Sequence, residues 1–147
     1  MLSQTAEYAL RAVLYLAERP PDSPVRVVEM AGALGIPHNY LSKTLHALAR
    51  VGVLASVRGP TGGFMLGRPA HQLPLAAVVA PFDHVAERRR CLLGRPECTD
   101  RGACAAHHAW KETSEKVSRF FHSTTIGDLR AGGLSAPSSR VPPRRPR

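Results

Sequence analysis

The chain has 147 residues, enough for one domain with a hydrophobic core of its own. Its 20 lysines and arginines outnumber its 11 acidic residues, a formal charge of +9 that suits a polyanionic partner, nucleic acid before membrane. The longest apolar run near the N-terminus, residues 12–17, is too short to cross a bilayer, and Glu7, Arg11 and Glu18 break it as a signal peptide. The expectation is therefore a chain of the reducing cytoplasm, without membrane contact, where a disulfide framework does not persist. Three cysteines, an odd number, point the same way.

Residues 3–18, "SQTAEYALRAVLYLAE", set Tyr8, Ala12, Val13 and Leu16 on one helical face. Ser3 or Thr5 can cap the start, and Pro20-Pro21 ends the helix. Residues 25–36 read as a second helix, with Val27 or Val28, Met30, Ala31 and Leu34 inward and Gly35 at its end. Residues 37–52 read as a third: Pro37 suits a first helical position, Tyr40, Leu41, Thr44, Leu45 and Leu48 form the apolar stripe, and Gly52 stops it. The period then changes. "VLASV" (53–57) and "FMLGR" (64–68) read as short strands around the turn "RGPTGG", a hairpin. Residues 74–83 predict a short helix, and 103–122 a long amphipathic one with Ala106, Trp110, Val117, Phe120 and Phe121 as apolar contacts. "TTIGDLRA" adds a small capping turn. From 132 the chain is "GGLSAPSSRVPPRRPR", which has no core-forming pattern. There is no internal repeat.

Three helices followed by a hairpin is the order of a winged helix-turn-helix, so the fold class is mainly α with a β-hairpin wing. His38, Asn39, Tyr40, Ser42 and Lys43 sit in the first turns of the third helix, where a recognition helix meets base edges and phosphates. Arg58-Gly59 stands at the hairpin tip, thin enough to enter a minor groove. From 25 to 68, Arg26, Lys43, Arg50, Arg58 and Arg68 face only Glu29, a net +4. His46 reads as a helix-surface residue, and His71, His84, His108 and His122 as solvated.

All three cysteines fall in "CLLGRPECTDRGACAAH", residues 91–107, with gaps of six and five residues, then two to His107. Gly94, Pro96 and Gly102 let the stretch wrap, and Cys104 and His107 share one side of a helix start. Soft thiolates with one nitrogen suit zinc or an iron–sulfur cluster, and the bare spacing does not separate the two. Three thiols that act as an oxidation switch are the remaining reading.

"YLSKTLHALARVGVLASVRGPTGGFMLGRP", preceded by "SQTAEYALRAVLYLA", resembles the Rrf-two family of bacterial winged-helix transcriptional regulators. The helix-three Tyr-Leu and the wing pattern Arg-Gly-x-x-Gly-Gly-aromatic-x-Leu carry the resemblance, which extends over residues 1–130. Pro37 departs from it, standing near a capping serine of the family. The resemblance implies a homodimer whose long C-terminal helix crosses its partner, bound to double-stranded DNA at a near-palindromic operator; the expected role there is that of a repressor. It further implies an iron–sulfur cluster on Cys91, Cys98 and Cys104. His107 is the favoured fourth ligand, for a 2Fe–2S cluster; Glu7 of the partner subunit is the alternative, for a 4Fe–4S cluster.

The expected organisation is a DNA-binding unit over 1–70, a cluster loop and dimerisation helix over 71–130, and a disordered basic tail over 131–147. The sensed input is redox state, nitric oxide or iron. No phosphate-binding glycine loop, acid–base pair or oriented nucleophile points to catalysis. The rival readings are a clusterless regulator switched by thiol oxidation or zinc, and an iron–sulfur electron carrier, which has no use for a wing.

Overall fold

The computed structural model describes residues 1–87 and 91–131. Helix α1 (Gln4–Ala17) begins where Ser3 caps it, its hydroxyl accepting from the Ala6 N–H at 3.2 Å. Ala12, Val13 and Leu16 are buried as expected, with Ala6 and Ala9 beside them, while Tyr8 is half-buried. The run of alanines makes one side of α1 thin, and the helix packs at the centre of the fold against the helices at 27–34, 38–50, 75–79 and 126–131 and against the wing.

Helix α2 (Val27–Leu34) starts later than the sequence pattern suggests, because Val25 is drawn into an antiparallel bridge with Phe64. Val28 points outward and Val27 is half-buried, which settles that ambiguity, and Gly35 ends the helix in the left-handed region at φ 63°. Arg11 reaches across to donate to the Leu34 carbonyl at 2.6 Å, so an α1 side chain satisfies one of the last acceptors of α2. Helix α3 (His38–Arg50) buries Leu41, Thr44, Leu45 and Leu48. Tyr40 is the exception to its predicted stripe: it is 47% exposed, at the edge of that face. Its ring stands edge-on to Tyr8 at 5.9 Å and its hydroxyl pairs with Thr5 Oγ1 at 3.2 Å, so it bridges α3 to α1 rather than filling the core.

The wing is a two-stranded antiparallel hairpin, β1 (Leu54–Val57) and β2 (Gly63–Leu66), in the register Leu54↔Leu66 to Val57↔Gly63. Phe64 pins it to the helices by exchanging two backbone hydrogen bonds with Val25, at 2.9 and 2.8 Å. Gly63 makes that approach possible. It has φ 154°, and a Cβ there would lie 2.3 Å from the Val25 carbonyl oxygen. Gly63→Ala must push the strand off Val25 and is expected to cost about 1–3 kcal/mol. A lower urea midpoint at unchanged m-value would show it.

After the wing come a 3₁₀ turn (Ala70–Gln72), absent from the sequence reading, and α4 (Leu75–Val79), shorter than its predicted span. Helix α5 (His107–Ser123) begins later than the expected 103, because the cysteine stretch keeps its loop form through Ala106, past Gly102 at φ 74°. Phe121 is buried, and Trp110 and Val117 are half-buried. Ala106 and Phe120 are exposed, contrary to expectation; the inward face of α5 instead carries the small polar Ser114 and Ser118. Ser118 donates to the Ala86 carbonyl at 2.9 Å, fastening α5 to the segment that leads into the cysteines. Helix α6 (Ile126–Ala131) buries Ile126 and is started by Asp128, which accepts from the Thr125 N–H at 2.8 Å.

The core runs unbroken from Val13, Leu41 and Leu45 through Leu73 and Val79 to Ile126. Position 70 thus marks a change of expected role and not a gap in packing. The predicted tail beyond Ala131 lies outside the described residues, as do positions 88–90.

Asp83 ties the far side of this core to the start of α1. It accepts from the Ser3 N–H at 2.6 Å and the Val85 N–H at 3.1 Å. Partial burial pushes its carboxyl up, but these hydrogen bonds outweigh it and hold the pKa below its usual value. A carboxylate with a depressed folded pKa stabilises the protein fully above its unfolded pKa, and that contribution disappears as pH falls through the folded value. Asp83→Ala should therefore cost about 1–2 kcal/mol at pH 7. The deficit should shrink below about pH 4, in paired urea titrations.

Candidate DNA interface and metal centre

The start of α3 is an open polar surface. His38, Asn39 and Lys43 are exposed and Ser42 is half-buried, all away from the buried side that carries Leu41 and Leu45. Farther along the same helix, Lys43, His46, Ala49 and Arg50 line a shallow depression. His46 rests edge-on against Phe64 of the wing, ring centres 5.2 Å apart. The exposed polar face of α3 thus runs farther along the helix than the first-turn set read from the sequence. The spacing of Lys43, His46 and Arg50 at i, i+3 and i+7 was the signal for it.

Arg58 and Gly59 are exposed at the wing tip, with Gly59 at φ 105°. The tip is closed by the Gly62 N–H donating to the Gly59 carbonyl at 3.0 Å. It is braced from below by Arg26, whose guanidinium donates to the Pro60 carbonyl. Arg26, counted in the sequence only as positive charge, thus acts as a brace that joins the start of α2 to the turn carrying Arg58. Lys43, Arg50 and Arg58 are all exposed cations in this unit, so its surface potential suits a phosphate backbone.

The second site is the cysteine stretch. All three cysteines are free thiols, each partly exposed. Cys98 is the hub. Its Sγ lies 3.2 Å from Nδ1 of His107 and it hydrogen-bonds to Cys91, while the Cys104 carbonyl accepts from the His107 N–H at 3.0 Å. His107 opens α5 and is only 3% exposed, far more buried than the cysteines it meets. Hydrogen bonds from the backbone of Arg95 and Leu93 hold the Cys91 thiol below its ordinary pKa. Partial burial, then the neighbouring Cys91, Cys104 and Asp100, push Cys98 up.

The donors fit the chemistry of a cluster: three thiols and an imidazole from one loop and the helix it leads into. Among the described residues no three of His, Cys, Asp and Glu converge closely enough to hold a single metal ion. A cluster spreads its ligands over more than one iron, so it asks for a wider set than one ion does. Glu7 is exposed in the first turn of α1, and among the described residues no hydrogen bond or ion pair joins it to the cysteines. His108 is exposed and packs edge-on against His107 at 5.3 Å. His84 pairs with Glu87, and His122 Nδ1 faces the Ser118 carbonyl at 2.8 Å, so both hold local partners rather than being merely solvated. Asp100, which sequence reasoning passed over, hydrogen-bonds His107.

A helical triad with an exposed polar third helix, followed by a braced cationic hairpin, defines a winged helix-turn-helix protein of the DNA-binding class. The match to known proteins is more specific. The family described as Rrf2, iron-dependent transcriptional regulator, matches residues 2–132. The HTH-type transcriptional regulator IscR of Vibrio parahaemolyticus is 32% identical over 128 residues, 87% of this chain and 76% of that protein. IscR of Yersinia pestis is 33% identical over 128 residues, 87% of this chain and 77% of its own length. The chain belongs to the Rrf2 family of transcriptional regulators.

Solved structures share the fold. The global cysteine regulator CymR of B. subtilis superposes with a TM-score of 0.74 at 20% identity, over 90% of this chain and 97% of that one. T. potens IscR gives 0.74 at 18%, over 96% and 93%. The relatives are regulators and not enzymes. Among the described residues no helix is long and apolar enough to cross a membrane.

Proposed function

We propose that this chain is a homodimeric, cytoplasmic repressor that reads a near-palindromic operator in double-stranded DNA and changes its grip on that DNA with the state of an iron–sulfur cluster. The observation that carries the reading is the meeting of Cys98 with Cys91 and His107, with Cys104 bonded through its carbonyl to the His107 N–H at the start of α5, in a chain of this family. Cys91, Cys98, Cys104 and His107 would hold the cluster, favouring 2Fe–2S; Glu7 of the partner subunit is the alternative fourth ligand and would favour 4Fe–4S. When bound, the cluster supplies a centre that answers to redox state, nitric oxide or iron supply.

The chain's own residues then divide the work. Asn39, Ser42 and Lys43 would meet bases and phosphates, with His38 and Tyr40 at the margin of that contact, and Arg58-Gly59 would enter the neighbouring minor groove. Ser118 and Phe121 hold α5 to the core, so a change in order at residues 91–106 bears directly on where α5 begins. In a dimer whose half-sites are about one DNA turn apart, a small change in the spacing of the two α3 helices alters affinity strongly. Residues 1–70 would form the reading unit and 71–130 the sensing and dimerising part.

The experiment is an operator titration of the full-length protein, loaded and cluster-free, at two salt concentrations. Salt-dependent binding to a palindrome that differs between the two forms supports the proposal. Equal affinity of both forms refutes the sensing claim, and failure to prefer the palindrome over random duplex refutes the regulator claim.

A further inference from the structure

Asp100 sits in the cysteine stretch between Cys98 and Cys104, and its carboxylate is committed to the first turns of α5. One oxygen, Oδ1, lies 2.8 Å from Nε2 of His107 and 3.4 Å from Nζ of Lys111, a residue one turn farther along the helix. His107 is 3% exposed and Asp100 70%, so the pair joins a buried ring to a carboxylate at the surface. Its Oδ1 is thus shared between the imidazole of His107 and the ammonium of Lys111, the two cationic or donor groups that face it. An ionised carboxylate offers only acceptors, so the imidazole proton facing it sits on Nε2. The other nitrogen, Nδ1, then faces Cys98 Sγ at 3.2 Å.

We propose that Asp100, braced by Lys111, is a positioning residue that fixes His107 as its Nε2–H tautomer and presents Nδ1, not Nε2, to the cysteine cage. The inference rests on the cluster reading above and adds to it the ligating atom and an outer partner. The second nitrogen of a ligating histidine commonly donates to a carboxylate, which orients the ring and raises its basicity. Here the arrangement is built into one loop and one helix turn, with a lysine that holds the carboxylate from the far side. His107 also has little freedom to turn the other nitrogen inward. Its ring is buried, packed edge-on against His108 at 5.3 Å, and rotating it would withdraw the proton from Asp100.

The test uses full-length protein loaded with its cluster and reduced, grown with histidine carrying nitrogen-15 at δ1 alone or at ε2 alone. Pulsed electron paramagnetic resonance reads which nitrogen has the strong coupling of a bound ligand, and His107→Ala assigns it. The expected result is a strong coupling from the δ1 label and a several-fold weaker one from ε2. Asp100→Asn keeps an acceptor but removes the charge: the δ1 coupling should stay while the midpoint potential rises. Asp100→Ala should shorten cluster retention about 10- to 100-fold. Lys111→Ala, which leaves the carboxylate less neutralised, should move the potential the opposite way from Asp100→Asn. Strong coupling from ε2, or no histidine coupling in a loaded protein, overturns this inference while leaving the cluster reading standing. A wild-type protein that takes up no cluster overturns both. An unchanged potential and retention in all three variants, with unchanged circular dichroism, would assign Asp100 to the loop's local structure alone and overturn the positioning role.

Discussion

Replacing Lys43 and Arg58 together by alanine is expected to weaken operator binding about 30- to 700-fold, a loss of about 2–4 kcal/mol for the dimer. The two side chains belong to different elements, the exposed face of α3 and the tip of the wing, and neither supports the core. Loss of affinity without loss of stability is therefore the signature to look for. Each phosphate contact removed should also lower the slope of log affinity against log salt by about 0.9. If both residues touch phosphates in each protomer, the slope falls by about 3.6 for the dimer. A uniform loss across sequences would assign both to the backbone, whereas relaxed preference at particular positions would assign one to base edges. Arg26→Ala makes a useful companion. It removes the donor to the Pro60 carbonyl without removing Arg58, and should weaken binding less than the double variant by loosening the turn that carries Arg58.

The second large effect is expected at Cys98. Cys98→Ser should leave the purified protein colourless and bring iron and acid-labile sulfide down to background, with circular dichroism unchanged. Cys98 is the thiol that Cys91 and His107 both approach, so its loss removes the hub and not an outlying ligand. It is also partly exposed and outside the hydrophobic core, so the fold does not depend on it. His107→Ala tests a different balance. His107 is buried at the first turn of α5, so the variant loses packing as well as a donor, and its thermal midpoint should fall even in cluster-free protein. Glu7→Ala, on an exposed first turn, should leave that midpoint nearly unchanged; a change in its absorption spectrum would point to the partner-supplied ligand instead.

The winged-helix order was legible because its signals are local. Apolar residues at helical spacing, Ser3 before α1, Gly35 after α2 and the glycine-rich wing turn are each read from a few neighbouring residues. The differences arose where a distant partner decided the outcome. Val25 left its expected helix for a bridge to Phe64, nearly forty positions away, and Tyr40 left the core stripe for Thr5 and Tyr8 on α1. Phe120 and Ala106 were placed inward by hydrophobicity, but the face of α5 that meets the fold is set by Phe121 and by Ser118, whose hydroxyl reaches Ala86. At the candidate metal centre the three cysteines and His107 stood out by type and spacing. Asp100 did not, because its part depends on a carboxylate reaching over a loop to a ring seven residues on. Arg26 was likewise invisible as a brace, since nothing in the sequence near it announces the Pro60 carbonyl.

Whether a cluster on the cysteine stretch governs DNA binding can be asked of a single sample. The full-length protein is purified without oxygen, its iron and acid-labile sulfide are counted, and it is titrated onto operator DNA before and after the cluster is removed. The expected outcome is a brown protein with iron and sulfide in equal amounts and an affinity that changes by about 5- to 150-fold on removal. A colourless protein holding stoichiometric zinc, or a brown one whose operator affinity is the same with and without its cluster, would contradict the proposed sensing function.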